Sequence, residues 1–216
     1  MKILFISLGC DKNLADSEEM LGLLTGNGHE IVDSEEEADA IVINTCCFIH
    51  DAKEESVNTI LEMAEYKKTG TCKILIVTGC MAQRYKEEIT EEIPEVDAVL
   101  GTTSYGDIVK ALNEAEAGHV FQEFKDINAL PEDSGRRVIT TGGHYGYLKI
   151  AEGCDKHCTY CIIPSLRGKF RSVPEERLLK QAEYMASQGV RELILVAQET
   201  TVYGTDLYGK KTLHIL

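Results

Sequence analysis

Apolar residues in the first 118 positions fall in blocks that alternate between strand-like and helix-like spacing. Lys2 to Leu8 is a short run with β-branched and aromatic content, closed by Gly9. Asp16-Ser17-Glu18 opens a segment with Met20, Leu21, Leu23 and Leu24 at near-helical spacing. A helix is expected there, with Asp16 or Ser17 as N-cap and Gly26-Asn27-Gly28 as its stop. His29 to Val32 reads as a short strand. Ala40 to Ile43 is wholly apolar, as in a parallel sheet covered on both faces. Asp51 to Lys68 has an amphipathic helical pattern, and Lys73 to Val77 reads as another buried strand. Gln83 to Glu92 is a helix ended before Pro94. Asp97 to Gly101 reads as a strand, and Tyr105 to Ala117 as a helix closed by Gly118.

This alternation predicts an α/β domain over 1–118 with a doubly wound parallel sheet. Residues 119–139 lack strong periodicity and contain Pro131-Glu132-Asp133-Ser134-Gly135, which reads as a linker. Residues 140–216 form a second unit. Its elements are a strand over Tyr145–Ala151, a helix over Pro174–Gln188 with proline at its first turn, and a strand over Glu192–Ala197. These 77 residues are too few for an eight-unit (β/α) barrel, which takes about 250. The second unit is therefore expected to be a βαβ piece of something larger, apparently truncated.

Composition narrows the class. The chain has 216 residues, 44% hydrophobic and 27% charged, which excludes wholesale disorder. No run approaches the ~18 apolar residues of a membrane span. The N-terminus runs into a strand without a signal-peptide cleavage pattern. A cytoplasmic protein with no membrane contact is expected. The net charge of −14 argues against a chain-wide nucleic-acid surface. The exception is 136–171, with seven basic and two acidic residues: Arg136, Arg137, Lys149, Lys156, Arg167, Lys169 and Arg171 against Glu152 and Asp155. That window is either ordinary surface variation or the mark of an anionic ligand or partner, RNA included.

Eight cysteines in a reducing compartment point to ligands, nucleophiles or core thiols rather than disulfides. Cys154, Cys158 and Cys161 crowd into eight positions after the strand ending near Ala151. Three thiolates this close can hold three irons of a cubane and leave the fourth open for a chelating substrate. The alternatives are a zinc site completed by His157 and a thioredoxin-like Cys158/Cys161 pair. Cys10, Cys46 and Cys80 each follow a strand, 36 and 34 residues apart, about one βαβ unit each. In a parallel sheet all three reach the carboxyl edge, where open α/β sheets bind ligands. The alternative is three buried free thiols. Cys47 should point away from Cys46, and Cys72 starts a strand far from that edge. Both read as core or surface thiols.

Cys154-x-x-x-Cys158-x-x-Cys161, with Tyr160 before the last cysteine, resembles the radical S-adenosylmethionine motif. With Cys10, Cys46 and Cys80 it resembles the methylthiotransferase family over essentially the whole chain. Gly9-Cys10-Asp11-Lys12-Asn13-Leu14, Leu166 and Gln198-Glu199-Thr200-Thr201-Val202-Tyr203-Gly204 are closest to the branch that modifies a ribosomal-protein aspartate. The resemblance implies that the second unit is the start of a radical SAM (β/α) barrel. It also implies two [4Fe–4S] clusters, on Cys10, Cys46 and Cys80 and on Cys154, Cys158 and Cys161, with S-adenosylmethionine at the second. Arg167 beside the cysteine loop reads either as a partner of the cofactor carboxylate or as a salt-bridged or solvent-facing arginine, and Tyr160 either as a surface for its adenine or as a core aromatic. The implied reaction adds a methylthio group to the β-carbon of an aspartate in the small-subunit ribosomal protein at the decoding centre. Its partners would be that protein or the assembled ribosome, an electron donor and a sulfur donor. A tRNA adenosine methylthiotransferase and a non-catalytic iron–sulfur or zinc module are the competing readings. The Gly-Gly-Glu stretch that holds the cofactor amino group in many radical enzymes is replaced by Val196-Ala197-Gln198-Glu199. With most of a barrel missing, the 216 residues alone are expected to give little or no methylthiolation turnover.

Overall fold

A computed structural model describes residues 1–216. The first unit is a parallel sheet of six strands: β1 (Lys2–Ser7), β2 (Glu30–Val32), β3 (Ala40–Thr45), β4 (Ile74–Gly79), β5 (Ala98–Leu100) and β6 (Phe121–Glu123). The order is β2-β1-β3-β4-β5-β6, all pairs parallel. The chain moves outward from β1 to β2 and then crosses back to β3. The topological switch point therefore lies between β1 and β3, where such sheets open a crevice at their carboxyl ends.

Two apolar layers hold the sheet. Ile41, Ile43, Leu75 and Val77 face α2 (His50–Thr69) and α3 (Cys80–Glu92), which contribute Ile60, Met63, Met81 and Ile89. Ile3, Val42, Ile76 and Leu100 face α1 (Asp11–Gly26) and α4 (Ile108–Glu116), which contribute Met20, Leu24, Ile108 and Leu112. Every β3 and β4 residue is buried, because helices cover both faces. Each such aliphatic side chain contributes about 1.5–3 kcal/mol over leaving it in water.

The second unit is a parallel pair, β7 (Tyr145–Lys149) and β10 (Glu192–Val196), joined through α6 (Glu175–Ser187). An antiparallel pair, β8 (Ala151–Glu152) and β9 (Arg171–Ser172), closes the excursion that carries α5 (Ile163–Arg167). A short α7 (Thr205–Tyr208) follows. Leu148, Ile150, Val173, Leu178, Met185, Val190 and Tyr203 form its core. Leu193, Ile194 and Leu195 of β10 stay more than a third exposed.

Three sequence expectations need correction. The first helix starts at Asp11 with Cys10 as its cap, not at Asp16 or Ser17. Asp16 and Ser17 are buried one turn and more inside it, where their polar groups bond other elements. The third helix starts at Cys80 rather than Gln83. Residues 121–123, read as linker, form the sixth strand beside β5.

Candidate metal centre

Cys10 caps α1 just after β1, Cys46 follows β3, and Cys80 opens α3 directly after β4. All three sit at the carboxyl edge around the switch point, as their spacing implies. Cys10 is exposed, while Cys46 and Cys80 are buried. The starts of α1 and α3 carry the partial positive charge of a helix N-terminus, which suits anionic ligands.

Two glycines let these turns form. Gly79 has φ 93°, and a Cβ there would stand 2.5 Å from the Thr45 carbonyl oxygen. Gly9 has φ 98°, and a Cβ there would stand 2.8 Å from the Cys46 Cβ. Either position would clash with any larger residue, quite apart from the left-handed backbone. Burial pushes the Cys46 thiol up, and the nearby Cys80 and Cys10 thiols push it the same way. A cationic metal–sulfide core would relieve that repulsion, so this donor set fits an iron–sulfur cluster.

Cys154, Cys158 and Cys161 lie on the loop between β8 and α5. The Cys154 amide donates to Gly168 O at 3.1 Å and the Cys161 amide to Cys158 O at 3.0 Å. Asp155 Oδ1 accepts from the Phe170 amide at 3.0 Å, tying the loop's start to its return. Cys158 is exposed, and its two partners are half-buried. The loop is therefore braced by backbone bonds while its sulfurs stay accessible.

One cavity of about 760 Å³ is lined by all six of these cysteines. Lys12, Phe48, Tyr160, Arg167, Gln198 and Glu199 also line it. No three His, Cys, Asp or Glu side chains converge closely enough to hold a single metal ion. Thiols that each take a different iron of a cubane need not converge on one point. Cys47 and Cys72 take no part. Both lie in the core beside α2 and α3, Cys47 donating to Cys80 O at 3.3 Å and pushed up to about 11 by burial.

Tyr160 is 89% exposed at the cavity, an aromatic surface with no protein covering it. Arg167 is different. Its guanidinium is buried and bonds Asp16 Oδ2 at 2.8 Å, Glu152 Oε1 at 3.3 Å and Asn13 Oδ1. Its Nη1 and Nη2 thus meet protein groups, as in the salt-bridge reading of this residue. Gln198 Oε1 is buried without a hydrogen-bond partner. Glu199 pairs with Lys156 and accepts from Thr201, and these hydrogen bonds hold its carboxyl down at about 2.

The basic window resolves the same way. Arg137 is bound to Glu18 of α1 at 2.5 and 2.7 Å, and Thr140 donates twice to the other Glu18 oxygen. Lys149 pairs with Asp16 and, at 2.9 Å, with Glu152. Three of the seven cations are therefore consumed in a buried ionic seam between α1 and the second unit. Lys156 is paired with Glu199. Sequence reading missed the seam because Asp16, Ser17 and Glu18 look like a helix cap. The only hint was that their acidity faces a basic window more than 100 residues on.

Comparison with known proteins supplies the class. Residues 2–101 match the family model described as uncharacterized protein family UPF0004, and residues 148–215 match the radical SAM superfamily. These are the two segments that carry the two cysteine sets. The chain resembles the radical S-adenosylmethionine methylthiotransferases, a class that uses iron–sulfur and S-adenosylmethionine as cofactors. The particular relatives are ribosomal protein uS12 methylthiotransferases, RimO. That of Lachnoclostridium phytofermentans is 67% identical over 213 residues, covering 99% of this chain and 48% of that protein. That of Clostridioides difficile is 52% identical with the same coverage. That of Acetivibrio thermocellus is 52% identical over 98% of this chain and 48% of that protein. The chain spans about half the length of the curated relatives it matches, and it resembles their N-terminal part. No helix is long and apolar enough to cross a membrane.

Proposed function

We propose that this chain carries both cofactor sites of a methylthiotransferase that modifies ribosomal protein uS12. The observation behind this reading is the single cavity on which all six motif cysteines open. On this reading Cys10, Cys46 and Cys80 hold one [4Fe–4S] cluster and Cys154, Cys158 and Cys161 hold a second. When bound, the second cluster with its open iron supplies one-electron cleavage of a sulfonium, and so hydrogen abstraction from an unactivated carbon.

The chain's own residues then have defined tasks. Tyr160 offers an exposed aromatic face for the adenine of S-adenosylmethionine. Gln198 Oε1, an acceptor without a partner, suits the cofactor's ammonium group. Phe48, Ile49 and Leu195 line the same cavity with apolar surface. The carbon to be modified is the β-carbon of a uS12 aspartate. The partners are uS12 or the assembled ribosome, a reductant and a sulfur source, in the cytoplasm.

The test is anaerobic incubation of the reconstituted chain with S-adenosylmethionine and dithionite, reading 5′-deoxyadenosine by chromatography. Formation that stops in Cys158→Ala and weakens in Gln198→Leu supports the reading. No deoxyadenosine from a chain that has bound iron contradicts it.

A further inference from the structure

Between the two cysteine sets lies one residue that touches the backbone or sulfur of all three sheet-edge positions. Asn13 is fully buried in the first turn of α1. Its Nδ2 donates to Leu8 O at 3.1 Å and to Thr45 O at 2.9 Å. Those carbonyls lie two residues before Cys10 and immediately before Cys46. Its Oδ1 accepts from the Cys80 thiol at 3.8 Å. One side-chain amide therefore ties the ends of β1 and β3 together and stands beside Cys80 at the end of β4.

The same Oδ1 accepts from Arg167 Nη2. Arg167 belongs to α5, which begins two residues after Cys161. Its neighbour Leu166 packs in the first unit's core together with Cys80, and Thr102 bonds the Leu166 carbonyl at 2.8 Å. The loop bearing the second cysteine set is thus anchored inside the first unit. Its arginine meets the same Asn13 oxygen that the Cys80 thiol reaches. Around it Lys12, Lys149 and Arg167 bring three buried cations against the carboxylates of Asp16 and Glu152. The Glu19 carboxyl, also buried here, is pushed toward its neutral form by that burial.

We propose that Asn13 and Arg167 are positioning residues that lock the two cysteine sets into one unit, and that the Arg167 charge raises the reduction potential of a cluster held by Cys10, Cys46 and Cys80. This rests on the cluster reading given under Proposed function. A fixed cation in a low-dielectric site favours the more negative, reduced state of a neighbouring cluster. Hydrogen bonds and charge around the sulfurs are what tune such potentials. Arg167 acts through Asn13 on thiols that are 87 to 157 positions away in sequence.

The experiment uses the chain with Cys154, Cys158 and Cys161 changed to alanine, so that only the first set can load. After anaerobic reconstitution with iron and sulfide, a mediated redox titration is followed by electron paramagnetic resonance. Arg167→Gln is expected to lower the reduction equilibrium constant at least tenfold, about 59 mV for a one-electron couple. Arg167→Lys keeps the charge and is expected to recover most of that shift. Asn13→Asp leaves Arg167 in place and sets a carboxylate beside Cys80. It should lower the potential too, and it decides the question if Arg167→Gln does not fold. Reduction equilibrium constants within twofold of the parent in the folded variants would reduce both residues to structural roles and overturn the inference. A parent that binds no iron would overturn the cluster reading itself, and this inference with it.

Discussion

The two cysteine sets are built by opposite means. Cys154, Cys158 and Cys161 come from one loop, braced by backbone bonds of its own and open to solvent. Cys10, Cys46 and Cys80 come from three strand ends and are brought together only when β1, β3 and β4 have paired in register. A local motif can present accessible sulfurs without a large core behind it. A dispersed one inherits the stiffness of the sheet and of every residue that ties its strands together. The seam of Asp16, Glu18, Glu152, Lys149 and Arg167 then makes the local site depend on the dispersed one, because α5 is held by α1.

This contrast can be broken most forcefully at the seam. Glu18→Ala leaves Arg137 buried without its partner and removes both Thr140 bonds. The loss of stability should be about 3–5 kcal/mol by urea denaturation. A loss below about 1 kcal/mol would place the pair among weakly coupled surface contacts.

Ile43→Ala comes next. It empties a fully buried site in β3, two residues before Thr45, and should cost about 2–5 kcal/mol. Iron held by the first set should become faster to chelate than iron held by the second. Equal chelation rates for both would mean that the sheet does not govern the first set.

Acid should act on the seam more gently. Burial alone would raise the Glu152 carboxyl, but Lys12, Lys149 and Arg167 outweigh it and hold the group well below its ordinary 4.5. A depressed carboxylate stabilises the fold above its unfolded value. That stabilisation is lost as pH falls below about 4.5 toward the folded value. The urea midpoint should therefore drop with acid below that pH, and Glu152→Gln should flatten the slope. An unchanged slope would contradict the charged seam.

The smallest effect is expected at Cys47→Ala. This core thiol makes one weak bond to Cys80 O, so stability should change by less than about 1.5 kcal/mol and iron content not at all. Its neighbour Cys46→Ala should remove about four irons, one cubane's worth. Similar iron loss in the two variants would mean that the ligands are misassigned.

The second set was legible because its whole argument fits in eight consecutive positions. The first was legible because apolar strands announce themselves and a parallel sheet fixes where the following residue goes. What stayed hidden was long-range polar pairing. Asp16 and Ser17 have the residue types of a helix cap, and only the fold shows them buried against Arg167 and Asn44. β6 has a single apolar residue, Phe121, in three positions, too little pattern to separate from a linker. The basic window suggested an external anion, but its buried cations meet carboxylates of α1 and β8. Arg167 was singled out as a residue beside the cysteine loop. Its partners could not be read, since Asp16 and Asn13 lie 151 and 154 positions earlier.

The most direct test of the account is iron and sulfide per chain after anaerobic reconstitution. The parent is compared with a variant in which Cys10, Cys46 and Cys80 are all alanine. Two cubanes in one cavity predict about eight irons in the parent and about four in the variant. Equal iron in both, or none in either, would contradict the central claim that two separately built cysteine sets serve one site.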